Sequence, residues 1–145
     1  MEKYREIPSY EYVIVGMRQS KAHFRLNTET DADTLQRSML PYIFVSKQQK
    51  MLIVRIIVFF VDMNNKAVSN RFIYQMYFKF TELPIIQKDN GIEISNIGII
   101  LSIVDTTIGA LRGTMYRWLA KTEYQAPLPI VSMDDLLKRI QVSFI

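Results

Sequence analysis

The sequence predicts a single α+β domain: a four-stranded antiparallel sheet, then a long helix, then a short C-terminal helix. Three observations carry this. Before residue 84, β-branched and aromatic runs alternate with turn residues. Residues 97–118 switch to an apolar period of three and four. Pro127 and Pro129 then separate that pattern from a second, shorter helical one, because proline cannot continue a helix and biases its predecessor toward extended geometry. With 145 residues, 49% hydrophobic and 22% charged, the chain suits one domain with a substantial core and is too apolar for disorder.

Tyr10–Val15, "YEYVIV", reads as the first strand and extends toward Arg18 and Phe24. "NTETDAD", Asn27–Asp33, is a polar loop. "LPYIFVSK", Leu40–Lys47, is a short strand whose Pro41 marks its start or an edge. Lys50–Met63 is a strand apolar on both faces, which asks for cover on both sides. Asp62–Lys66, "DMNNK", supplies a hairpin turn. Ala67–Leu83 returns with period-two alternation: Phe72, Tyr74, Met76, Phe78 and Phe80 share one face, while Arg71, Gln75 and Lys79 lie on the other with Ile73 and Tyr77. "PIIQKDNG" reads as a loop, and Ser95 as the N-cap of the long helix.

In that helix Ile97, Leu101, Val104, Ile108, Leu111, Met115 and Trp118 form one apolar stripe. Gly98, Ser102, Gly109 and Gly113 form a second, small stripe. Glycine costs up to about 1 kcal/mol inside a helix, so paired glycines imply close packing. Either the helix lies tight on its own sheet, or two such helices meet between subunits. The last helix starts at Ser132, with Asp134 and Asp135 in its first turn and Lys138 and Arg139 in its last, the order a helix dipole favours.

Catalytic signatures are missing. His23 is the sole histidine, cysteine is absent, and no partner for His23 can be named. Glu29, Asp31 and Asp33 lack the glycine and terminal glutamate of a calcium loop. No phosphate-binding glycine loop and no nucleophile elbow occurs. Neither an enzyme nor a cofactor is expected. The net charge is +4, but Lys and Arg are scattered, so no nucleic-acid role is expected. "MEKYREIPSY" lacks the apolar core of a secretory signal, and "MLIVRIIVFFV" is about half a bilayer span and is broken by Arg55. A soluble cytoplasmic protein without a membrane role is expected.

Three stretches resemble the SecB family of export chaperones. Gln48–Leu83 looks like that family's third and fourth strands. Ile103–Val131, ending in "APLPIV", looks like its long helix and helix-connecting loop, and "SMDDLLKRI", Ser132–Ile140, like the start of its last helix. The resemblance implies ATP-independent holding of unfolded polypeptide in a hydrophobic groove. Tyr124, Leu128 and Ile130 would line one wall, with Tyr42 and Phe44 facing them. Leu128 and Ile130 could equally anchor the loop to the core. The resemblance also implies a homotetramer, a dimer of dimers. Family members couple to the SecA motor through an acidic sheet face, whereas this chain is basic and carries Arg71 and Lys79 there. Some serve toxin–antitoxin systems instead. Two alternatives stand beside this reading. One is a non-catalytic interaction protein serving a dedicated partner. The other is a small hot-dog-like enzyme, a fold whose helix follows its first strand rather than its last.

Overall fold

The computed structural model describes residues 11–20, 35–62, 69–119 and 133–145. Where β-branched and aromatic residues alternate, the chain runs as strands: β1 Tyr12–Ser20, β2 Leu35–Ser46, β3 Met51–Asp62 and β4 Ser69–Phe80. Two short strands follow, β5 Ile85–Lys88 and β6 Gly91–Ile94, then helix α1 Ile97–Leu119, helix α2 Met133–Arg139 and strand β7 Gln141–Phe144.

The main sheet has five strands in the order β1-β4-β3-β2-β7. This corrects the expected four. The extra strand comes from the C-terminus: Tyr42–Val45 of β2 pair in parallel with Gln141–Phe144, and the Ile145 N–H donates to the Val45 carbonyl at 2.9 Å. β2 also begins five residues before the expected Leu40, with Leu35 opposite Asp62. Pro41 lies inside β2, opposite Ile56, and β7 runs only beside the residues after it. Proline has no N–H to offer a ladder, which suits a position beyond the end of β7. "PIIQKDNG" is not a plain loop either. It holds β5 and the turn of a separate two-stranded hairpin, β5–β6, in which Lys88 faces Gly91 across that turn at a φ of 134°. That φ is cheap only for glycine. The expected turn at Asp62–Lys66 lies almost wholly outside the described residues.

The β3–β4 hairpin pairs antiparallel from Met51 opposite Lys79 to Val61 opposite Ser69, as the alternation requires. Phe72, Tyr74, Met76, Phe78 and Phe80 are buried, together with Leu52, Val54, Ile56 and Val58 of β3. α1 covers this side of the sheet with Ile100, Ile103, Val104, Ile108, Leu111 and Met115, and Leu136 of α2 joins the same core.

The buried face of α1 is turned from the expected stripe. Val104, Ile108, Leu111 and Met115 are buried, but Ile97 is 48% exposed, while Ile100, Ile103 and Thr107 are buried beside them. The expected stripe repeats every seven residues, and such a repeat drifts by about 20° per heptad around a straight helix. The buried Thr107 hydroxyl donates to the Ile103 carbonyl at 2.7 Å, so it enters the core satisfied. Asn96, not Ser95, caps the helix: its Oδ1 accepts from the Ile99 N–H at 3.2 Å, while the Ser95 hydroxyl donates to the Pro84 carbonyl. By length and composition α1 could cross a membrane, but its apolar stripe is the roof of the sheet's core.

Candidate functional site

Side chains on a strand alternate between faces, so the odd-numbered residues of β3 and β4 point away from α1. Registers align them into rows. One row runs Gly16, Tyr77, Ile53, Phe44 across β1, β4, β3 and β2. The next runs Arg18, Gln75, Arg55, Tyr42, with Gln141 of β7 beside Tyr42. A third carries Ile73, Ile57 and Leu40, and a fourth Arg71, Phe59 and Ser38. A polar, cationic row therefore lies between two apolar ones, and no described element covers this open face.

The cationic row is ordered. Arg55 Nε donates to Gln75 Oε1 at 2.5 Å, and Gln75 Nε2 donates to the Tyr77 hydroxyl at 3.4 Å. The Arg55 guanidinium sits 4.6 Å from the centroid of the Phe44 ring, a cation–π contact. Tyr42 and Phe44 stack in turn, centroids 6.5 Å apart and 14° from parallel. Packing along the face leaves Tyr42, Phe44, Ile53, Ile57, Phe59, Ile73 and Tyr77 partly buried. They form a shallow, stiff, amphiphilic surface. Gly16 belongs to it by default: a Cβ there would stand 3.4 Å from the Tyr77 ring.

Tyr42 and Phe44 thus lie side by side on the open face, both partly buried. Tyr124, Leu128 and Ile130, with the bracing Pro127 and Pro129, lie outside the described residues, and so does His23. Gly98, Ser102, Gly109 and Gly113 are all exposed on α1. A Cβ added at Gly109 or Gly113 meets nothing within 4 Å, so the small stripe does not lie tight on its own sheet. That expectation is corrected. Instead, the Ser102 hydroxyl lies 3.3 Å from the Tyr12 hydroxyl, tying the stripe to β1.

A further apolar surface was not anticipated. Among the described residues β1 pairs with β4 alone, and Val13, Ile14, Val15 and Met17 are 62%, 50%, 51% and 64% exposed. An apolar, one-sided edge strand is a template for another strand. Among the described residues no group of three or more His, Asp or Glu side chains could hold a metal.

These features define the class: an α+β domain with one face of its sheet roofed by a helix and the other, amphiphilic, face covered by no described element. No protein-family model and no curated protein matches the chain. Among solved structures it is similar to a SecB-like chaperone of Mycobacterium tuberculosis in complex with a peptide from an antitoxin. The match covers 86% of this chain and 87% of that one, at 15% identity and a TM-score of 0.41. At that identity and score the likeness concerns the course of the chain and does not extend to side chains or partners.

Proposed function

We propose that this protein is a non-catalytic, ATP-independent chaperone of the SecB type that holds unfolded or extended polypeptide. The observation that carries the reading is the open sheet face, where Tyr42, Phe44, Ile53, Ile57 and Tyr77 lie partly buried with no described cover. Burying such a face against a client stabilises the complex by roughly 25 cal/mol per Å² of apolar surface removed from water. A face prepacked by its own stacking and hydrogen bonds loses little entropy on binding. Tyr124, Leu128 and Ile130 are included among the proposed client-binding residues. The protein is soluble and cytoplasmic, binds no cofactor, and assembles as a dimer of dimers through the stripe of Gly98, Ser102, Gly109 and Gly113. Its clients belong to an export route or to a toxin–antitoxin pair. With a cationic sheet face, coupling to SecA is not part of the proposal.

The test is light scattering from a reduced, aggregating client. Wild type at stoichiometric excess suppresses aggregation. Leu128→Asp with Ile130→Asp abolishes suppression while circular dichroism stays unchanged, because a carboxylate in an apolar groove is uncompensated. No protection by wild type transfers the reading to one dedicated protein partner. A double variant that unfolds places those side chains in the core.

A further inference from the structure

Charge on the open face is one-sided. Its ladder positions carry Arg18, Arg55, Arg71 and Lys79, and no Asp or Glu stands at any of them. Glu11, just before β1, accepts the Thr81 N–H through its carbonyl at 3.1 Å and stands at the Lys79 end of the face, away from the Arg18–Arg55 row. Arg18 and Arg55 share the central row, two strands apart, with Gln75 between them. Arg55 is partly buried, and Gln75 and the Phe44 ring hold it in place, so its remaining N–H donors keep a fixed direction. Apolar rows lie on either side: Tyr77, Ile53 and Phe44 on one, Ile73 and Ile57 on the other.

We propose that this face docks a polypeptide segment in which acidic side chains are flanked by large apolar ones, the carboxylates meeting Arg18 and Arg55 and the apolar groups filling the two neighbouring rows. The inference rests on the polypeptide-binding reading and adds a partner class to it. A second copy does not fit the same face, because symmetric docking would set Arg18, Arg55, Arg71 and Lys79 against themselves, and like charges brought together oppose association. Polypeptide is favoured over nucleic acid by aliphatic Ile53, Ile57 and Ile73, which flank the cations and offer burial to apolar side chains; Tyr42, Phe44 and Tyr77 present π-faces to either partner, and the experiment below separates the two.

The experiment uses the full chain and three labelled peptides with identical leucine and phenylalanine positions, carrying Glu, Gln or Lys at the intervening ones. Fluorescence anisotropy measures binding at low salt and at high salt. The Glu peptide binds on the order of tenfold more tightly than the Lys peptide, as expected of a few partly desolvated charge pairs. The preference shrinks at high salt, where exposed pairs are screened. Arg18→Glu with Arg71→Glu and Lys79→Glu changes only exposed side chains and reverses the order of the peptides. Equal binding of all three peptides overturns the charge inference and leaves the polypeptide-binding reading standing. Binding of none overturns both. A single-stranded oligonucleotide that displaces the Glu peptide from wild type at lower concentration than unlabelled Glu peptide does overturns the partner class.

Discussion

Gly109 and Gly113 separate the folding of one chain from the assembly of several. An added Cβ at either site meets nothing within 4 Å, so substitution introduces no clash within the chain. Removing a helix-interior glycine gains up to about 1 kcal/mol of helix propensity, so Gly109→Ala with Gly113→Ala stabilises the isolated chain by about 1–2 kcal/mol. Gly109→Leu gains a similar amount per site in the isolated chain but sets a bulky side chain on the outer stripe. If copies pack there, overpacking costs about 1–3 kcal/mol, a loss of roughly five- to 150-fold in association. Urea denaturation of the dissociated chain reads the first quantity, and sedimentation equilibrium at micromolar concentration reads the second. A Leu variant that unfolds more easily as a dissociated chain shows that the outer side of α1 is not open. A wild type that stays monomeric, or a Leu variant that assembles as wild type does, removes the stripe from the interface.

Two further outcomes test the fold. Phe78→Ala, at a fully buried site between β1, β3 and α1, costs about 3–5 kcal/mol by urea denaturation; a loss below 1 kcal/mol would place Phe78 outside the core. Phe144→Ala costs about 1–2 kcal/mol, because that ring is partly buried against the core beside β2 and carries Lys47 Nζ 5.2 Å from its centroid; no measurable change would detach β7 from the sheet.

The β3–β4 hairpin was legible because its signal is local. Alternation from Arg71 to Phe80 states which side chains face the core, and a nearby turn brings the partner strand. The doubled apolarity of Met51–Val61 also announced a second surface. What joined that surface into rows was not legible. Arg55 reads in the sequence as an interruption of an apolar run, and only the register places it between Gln75 and Tyr42. β7 was missed for a similar reason: "QVSF" alternates, but its partner residues at Tyr42–Val45 lie almost a hundred positions earlier, and parallel pairing leaves no turn to read. The β5–β6 hairpin did leave a signal, since Asn90–Gly91 is a turn pair followed by the alternating Ile92, Glu93 and Ile94. On α1, counting only the seven-residue repeat hid Ile100 and Ile103, whose burial turns the core face of the helix and sends Gly109 and Gly113 to the far side.

The geometry also bears on how binding and assembly could coexist. The exposed edge of β1 runs in the plane of the sheet. A copy that added a strand there would extend the open face sideways and would not cover it. The small stripe of α1 lies on the opposite side of the sheet from that face, and Tyr12 joins the stripe to β1 through Ser102. Copies meeting through α1 would therefore bury the helix and leave Tyr42, Phe44, Arg55 and Tyr77 in solvent. Each route to self-association that these surfaces offer leaves the amphiphilic rows open, and their cations oppose covering them with themselves. The face that no described element covers, and that assembly through α1 or β1 would leave open, is thus the one to which the proposed binding of a different polypeptide is assigned.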